Sequence, residues 1–519
     1  MFPILSVIVL APLAGAAAIL LLSGLHIIGK ENQAAPRAIA LASTVISFLG
    51  SIWVAWEFYQ YGGGGILFEE PLSWAGRGGQ WLAGLGASYH LGVNGISASM
   101  VLLSGILGFV AVIASWNIKE RMREYFTLVL VALCGVFGVF ATLDLFFFFL
   151  FYEMASIPMY FLVGMWGSSR KDEQRTVTRE YAAMKLLLYL QLGGAMILVG
   201  ALGMYFGSSA RSFDMTLLAR ENFPVELQRW LFPLLFLGFG IEAGFWPFHT
   251  WLPDGHSAAP TALSMLLAGV LLKMGGYGMV RVAMDLLPDG AAWWLGGGGT
   301  ILSKVFIFCA LINILYGALC AMHQKDIKYI IAYSSISHMG IVTLGFASRG
   351  VTGINGAVFQ MFSHGVITAL LFALAGLIYE KSHTRDITQH GGLAARMPIL
   401  AVFFYLGGLA TLGLPGMSGF VAEFLVFLGA FPMYKYVTLA AITGLVLTAT
   451  YILRAGEKIF LGPLNTKYEA IGDVMGIEKV HLYTLTFFVI LFGLFPTLLI
   501  NLSNPAVTPL AQKLGGLLP

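Results

Sequence analysis

Fourteen stretches of about twenty apolar residues, joined mostly by short linkers, run through this 519-residue chain. They fall at 3–23, 37–58, 95–116, 125–143, 144–167, 180–206 and 230–252, then at 259–286, 300–321, 327–347, 353–379, 397–428, 436–461 and 482–503. A helix needs about 20 such residues to cross a bilayer's hydrocarbon core. Charged residues make up 11% of the chain and hydrophobic ones 58%, whereas a soluble domain carries about 25% charged residues. So few charges cannot coat the molecule with water. The class is an all-α polytopic membrane protein, 1–519 forming one membrane domain. The first apolar stretch lacks a basic leader and reads as a span, not as a cleaved signal peptide. A net charge of +3 gives no sign of a nucleic-acid partner; the solvent partner is lipid.

Basic residues choose the sides of the membrane. Lys30, Arg37, Lys119, Arg121, Arg123, Arg170, Lys171, Arg175, Arg179, Lys325, Lys328, Lys381, Arg385, Arg396, Arg454, Lys458, Lys467 and Lys479 share one side, 18 of the 29 Lys and Arg. Eight lie on the other: Arg77, Arg211, Arg220, Arg229, Arg281, Arg349, Lys435 and Lys513. The bias puts the first set in the cytoplasm and both termini outside, which requires an even number of spans.

Several local patterns fail on inspection. "GLHIIGKE" (24–31) matches a phosphate loop until Glu31, where Ser or Thr should meet magnesium, and no strand precedes it. Cys134, Cys309 and Cys320 form no CxxC pair and sit in apolar runs, as buried, inert thiols do. No histidine pair has HExxH spacing. The chain is expected to hold no cofactor and no metal of its own. Gly62–Gly65 and Gly296–Gly299 read as loop glycines.

The informative residues are ionisable ones inside spans. A charge at mid-span costs about 3 kcal/mol on insertion scales. Glu153, Glu242, Lys273 and Glu423 together approach the stability of a whole domain, about 5–15 kcal/mol. Lys185, His338 and His364 join them. Such groups must face water or one another. Glu153 and Lys185 are one candidate ion pair between adjacent spans; His338 and His364 also fit as hydrogen-bonded packing residues. Lys304, at a span's outer end, can snorkel.

Two spans are interrupted, one by Pro247 and Pro253, the other by Pro415, each near an acid. Proline removes a backbone donor, and freed carbonyls at membrane depth need protein or a wet cavity. Paired broken helices five spans apart point to inverted repeats. The division is 1–124 for spans 1–3, 125–286 for a first repeat (spans 4–8), 300–461 for a second (spans 9–13), and 482–519 for the last span.

At these residues the chain resembles a known family. "PFHTWLPDGHSAAPTALSMLLAGVLLKMGGYG", "KDIKYIIAYSSISHMG", "YEKSHTRDI" and "LGLPGMSGFVAEF" are similar to the antiporter-like, proton-translocating subunits of respiratory complex I, above all the subunit M (chain 4) family of NADH–quinone oxidoreductase. The resemblance implies fourteen spans with two inverted five-span repeats and a mid-membrane chain of charges and water. It makes Glu153, Lys273, His338, His364 and Glu423 the proton-transfer residues. It also implies FMN, iron–sulfur clusters and quinone in partner subunits, with sister antiporter-like subunits as direct neighbours and a peripheral redox arm as an indirect one. Two positions depart from the family pattern. Glu242 stands where a lysine is usual, so Glu153 faces a second carboxylate, and two close carboxylates are expected to share one proton. Asn94 replaces a common aspartate.

The leading expectation is therefore a redox-driven proton-translocating subunit without a redox centre. Protons enter near the Glu242 break, pass to Lys273, cross by His338 and His364, and leave near Glu423. A lysine out of water can be neutral or charged, which suits a relay. The alternatives are a subunit of a multi-subunit Na⁺/H⁺ antiporter or membrane-bound hydrogenase, and a structural anchor with a dead route.

Overall fold

A computed structural model describes residues 2–26, 34–71, 83–171, 176–297, 301 and 304–515. Lys30, Arg77, Arg175, most of the 24–31 match and the glycines at 298–299 lie outside the described residues.

Among the described residues, twelve helices are long and apolar enough to cross a membrane. We number the longer helices in chain order: α1 Ile4–Gly24, α2 Ala34–Tyr61, α3 Gly95–Ala114, α4 Met122–Ala141, α5 Leu145–Trp166, α6 Arg179–Gly207, α7 Val225–Glu242, α8 Trp251–Ala258, α9 Thr261–Met284, α10 Val305–His323, α11 Ile327–Ala347, α12 Val351–Ser382, α13 Pro398–Thr411, α14 Ser418–Ala430, α15 Lys435–Phe460, α16 Ile477–Leu494 and α17 Thr497–Lys513. The two spans expected to be broken are α7–α8 and α13–α14. The last apolar stretch also differs from its expected bounds of 482–503. It splits at Pro496, where Phe495 leaves the helical region (φ −122°, ψ 62°), because proline cannot continue a helical hydrogen-bond ladder.

The helices sort by their surfaces. α9 and α12 are buried all round over their apolar stretches, and α3 and α11 nearly so. They form the centre, as a helix that is mostly apolar on every side must. α1, α2, α6, α15 and α16 bury one side and turn Leu, Ile, Val and Phe outward. The central helices carry Lys273, His338 and His364. Glycine sets how closely two of them approach. A Cβ on Gly365 of α12 would stand 2.7 Å from the Gly269 carbonyl of α9, and a Cβ on Gly269 would stand 2.3 Å from Leu107 Cδ1. One turn beyond Gly269 is Lys273, and next to Gly365 is His364, so this contact brings the two side chains together.

The sequence explains each interruption. α7 ends at Glu242, Gly244 follows at φ +75°, and α8 starts at Trp251. Asn313 of α10 fills the gap: its Oδ1 accepts from Trp246 N at 2.7 Å and its Nδ2 donates to Gly244 O at 3.4 Å. Trp251 Nε1 donates to Ile241 O at 3.0 Å. Side chains thus meet three of the groups at the break, Trp246 N, Gly244 O and Ile241 O. Pro253 was expected to interrupt the span as well. It instead sits in the first turn of α8, where its missing N–H has no intrahelical partner to lose. In the other break Gly413 (φ +72°) and Gly416 (φ +92°) take conformations that other residues rarely adopt. Asn94 has a local role: its side chain caps α3 by accepting from Ser97 N at 3.0 Å, and Ser97 Oγ accepts from Asn94 N at 2.7 Å.

At one end of the bundle a hairpin, β1 Leu67–Pro71 with β2 His90–Val93, is clasped by His90. Its Nε2 lies 2.9 Å from Glu69 Oε1 and its Nδ1 2.9 Å from Asp214 Oδ2. Burial alone would lower the His90 pKa; the hydrogen bonds and charges of Asp214 and Glu69 outweigh it, and the net shift is upward. A raised histidine stabilises fully below its ordinary pKa of about 6.5 and stops doing so as pH rises through the raised value. Protease nicking of the 83–93 segment is therefore expected to increase with alkalinity in the parent and to stay flat in His90→Gln. Parallel profiles would remove His90 as the cause.

Candidate functional site

Lys273 lies in α9 between two stretches wound as π-helix, 267–271 and 279–284. A π-turn loosens carbonyls from the α-ladder and recurs at functional sites. Here the loosened carbonyl is Ala268 O, which accepts from Lys273 Nζ. The ammonium's other partner is His364 Nδ1 of α12, at 2.7 Å. The side chain has no accessible surface.

His364 stacks on His338 of α11, with ring centroids 5.1 Å apart and an interplanar angle of 23°. His364 Nε2 is buried and makes no hydrogen bond to protein. His338 Nδ1 lies 2.8 Å from Ser334 O. A carbonyl only accepts, so Nδ1 carries a hydrogen. His338 Nε2 then faces two oxygens at 3.4 Å, Thr411 O, freed by the α13–α14 break, and Glu423 Oε1 of α14. The carboxylate contact has ion-pair distance but lies off the line of a hydrogen bond, since Oε1 has no hydrogen-bond partner. A neutral imidazole would turn a lone pair on both oxygens. The arrangement therefore requires a proton on either His338 Nε2 or Glu423. Lys273–His364 and His338–Glu423 are two close pairs of ionisable side chains joined at stacked ring faces. A proton crosses between those rings only by rotation or a hydrogen-bonded bridge, because a stack does not aim an N–H at a lone pair.

The first half is arranged differently. The candidate ion pair between Lys185 and Glu153 is not formed. Lys185 Nζ of α6 lies 2.8 Å from Asp254 Oδ2 of α8, and Tyr329 of α11 donates to Asp254 Oδ1 at 2.9 Å. Glu153 Oε2 instead accepts from Gln191 Nε2 at 2.5 Å. Gln191 is six residues along α6 from Lys185, about 9 Å at 1.5 Å per residue, which places the lysine level with α8 and the glutamine level with the acid. Gly194 leaves room for that acid: a Cβ there would stand 2.6 Å from Glu153 Oε1. Removing one member of a buried pair such as Lys185–Asp254 costs about 3–5 kcal/mol. Glu242 has no accessible surface, and neither of its oxygens accepts a hydrogen bond. It shares none with Glu153, though the two acids are within electrostatic reach of each other and of Tyr152. Among the described residues no group of three or more His, Cys, Asp or Glu side chains could hold a metal ion.

Four structural partners were not singled out from the sequence. Gln191, Asn313 and Asp254 are polar residues whose partners lie on other helices, and no spacing announces them. Lys328 was counted as a loop cation. It is 2% exposed and donates to Ala259 O at 2.6 Å, a carbonyl left free before Pro260. Its place three residues inside "KDIK", at the start of an apolar run, was the available signal.

The bundle and its buried line define a polytopic integral membrane protein that carries ionisable groups at its centre. Residues 142–448 match the family model described as NADH:quinone oxidoreductase/Mrp antiporter, transmembrane. The chain belongs to this family. It is 38% identical over 524 residues to NADH-quinone oxidoreductase subunit M of Rhodobacter capsulatus, covering 98% of this chain and 96% of that one. It is 36% identical over 522 residues to subunit M of Rickettsia bellii, covering 98% and 99%. Its fold superposes with TM-score 0.85 and 28% identity on a chain of respiratory complex I from Thermus thermophilus with bound NADH, covering 99% of this chain and all of that one. Each of these matches spans at least 98% of this chain.

Proposed function

We propose that this chain is a proton-translocating membrane subunit of an NADH–quinone oxidoreductase of the complex I type. Electron transfer runs in partner subunits that hold FMN, iron–sulfur clusters and quinone; this chain has no redox centre and moves protons. Its neighbours are other membrane subunits, sister antiporter-like chains among them, and the peripheral redox arm acts on it indirectly. It crosses a prokaryotic inner membrane fourteen times, counting the twelve long helices and the broken pairs α7–α8 and α13–α14. Both termini are outside. Residues 125–286 and 300–461 are inverted repeats.

The observation that carries this reading is the buried line Lys273, His364, His338, Glu423, which joins one proposed repeat to the other. Protons enter from the cytoplasm near the Glu242 break, pass Glu153 and Glu242, reach Lys273 by water, cross the two imidazoles and leave at Glu423. His364 is the point where the line depends on one side chain. In vesicles containing the complex, His364→Leu is expected to lower NADH-driven acidification about tenfold with the subunits still assembled. Acidification at the parental rate would refute the route.

Glu153 and Glu242 act as a coupled pair holding one proton near neutral pH, since two carboxylates in a poorly solvated site resist double ionisation. Glu242 has no donor within the protein, which suits an acid that keeps its proton or meets a bridging water. Glu242→Gln then mimics the protonated partner and is expected to pump within about twofold of the parent. Glu242→Lys creates a cation opposite Glu153 and is expected to shift the pH profile of pumping. Infrared difference spectra showing both carboxyls ionised at pH 7 would rule the pair out.

A further inference from the structure

The two helix breaks share more than a proline. Each turns on a left-handed glycine, Gly244 at φ +75° and Gly413 at φ +72°. Each is followed ten residues later by a buried acid, Asp254 in α8 and Glu423 in α14. α11 packs against both half-helices and reaches both acids, through Tyr329 to Asp254 Oδ1 at 2.9 Å and through His338 to Glu423 Oε1 at 3.4 Å. Each acid also faces a base. For Glu423 it is that same His338; for Asp254 it is Lys185, whose Nζ lies 2.8 Å from Oδ2. By position, Asp254 is to the first break what Glu423 is to the second.

We propose that Asp254 is a proton-transfer group that works with Lys185 as the uptake station of the chain, a role that rests on the proposed route and adds the step before Glu153. Lys185 stands six residues from Gln191 on α6, on the side of the helix start at Arg179, which the proposed topology places at the cytoplasmic end. The pair therefore lies between the cytoplasm and Glu153, whose Oε2 accepts from Gln191. At rest Asp254 is a carboxylate and Lys185 an ammonium. A proton from cytoplasmic water adds to Asp254, and the ion pair loosens because one of its two charges is gone. Lys185 swings on its flexible four-carbon stem and gives a proton, through water, to the carboxylate that Glu153 and Glu242 share. Its amine then takes the proton from the Asp254 carboxyl, and the ion pair forms again. One proton has entered, one has reached the Glu153–Glu242 pair, and no charge is left behind. Tyr329 keeps its own proton and holds Asp254 in place. A purely structural pair needs only two opposite charges, so the two roles part when the cation is one that cannot release a proton.

The test uses vesicles containing the intact complex, with acidification normalised to NADH oxidised. Lys185→Arg keeps the charge and the bond to Asp254 but cannot give up its proton. It is expected to assemble like the parent and to lower acidification by at least about tenfold, within what a positioned proton-transfer group contributes. Asp254→Glu keeps a carboxyl and is expected to pump at least about threefold faster than Asp254→Asn combined with Lys185→Met, a double variant that removes the pair without stranding a charge. Infrared difference spectra of the parent during turnover are expected to contain a carboxyl band that shifts in Asp254→Glu and is lost in the double variant. Parental acidification in Lys185→Arg, equal rates in Asp254→Glu and the double variant, or a spectrum without an Asp254 band would each overturn the uptake station. His364→Leu measured beside these variants separates the two ideas. Loss of pumping there with parental rates in Lys185→Arg removes the station and leaves the central line; parental rates in both remove the route itself.

Discussion

Lys273→Ala is expected to reduce NADH-driven proton translocation about a hundredfold, the lower end of what a positioned proton-transfer group contributes, while leaving assembly intact. Lys273 is the one lysine in the buried line, held between Ala268 O and His364 Nδ1, with no acid beside it to make it a structural ion pair. Alanine leaves His364 Nδ1 and Ala268 O without their partner but strands no full charge, as loss of Asp254 would strand Lys185. Lys273→Arg is the sharper control. It keeps the positive charge but cannot give up its proton in a protein. If the role is to pass a proton, arginine is expected to fail as badly as alanine; if the role is to place a fixed charge, arginine restores function. Acidification by reconstituted vesicles, normalised to NADH oxidised, decides between them.

Glu423→Gln is expected to abolish pumping to a similar degree, whereas Glu423→Asp retains part of it. Glutamine matches the volume of glutamate but cannot take up and release a proton. Aspartate can, although its shorter side chain widens the 3.4 Å gap to His338. The consequence for His338 differs too. With glutamine at 423, the Nε2 of His338 loses the acid that shares its proton and keeps only Thr411 O. Equal rates in the two variants would give Glu423 a packing role.

The buried line was legible in the sequence for an energetic reason. A lysine, two histidines and a glutamate inside long apolar runs are costly in a membrane, so their positions alone set them apart. Their contacts were not legible. Lys273 meets His364 because Gly269 and Gly365 let two helices approach, and glycine in an apolar helix has several uses. Lys185 shows the same limit from the other side. Glu153 lay on the next span and was the natural partner, but the 9 Å of helix between Lys185 and Gln191 hands the acid to the amide and the lysine to Asp254. The helix breaks were found through their prolines, yet Pro253 proved to begin a helix and Pro496 to end one. A proline's effect depends on whether its missing N–H falls in a first turn or an interior one, and sequence places helix starts only to within a few residues. The groups that close the α7–α8 break, Asn313 and Trp251, come from a distant helix and from the far side of the break itself.

The central claim is that Lys273 and Glu423 belong to one route, so that a change at the first is felt as a protonation change at the second. Infrared difference spectra of the complex during turnover test this directly, with the carboxyl band of Glu423 assigned by its shift in Glu423→Asp. That band is expected in the parent, and its loss is expected in Lys273→Ala. A Glu423 band of unchanged size in Lys273→Ala would contradict it.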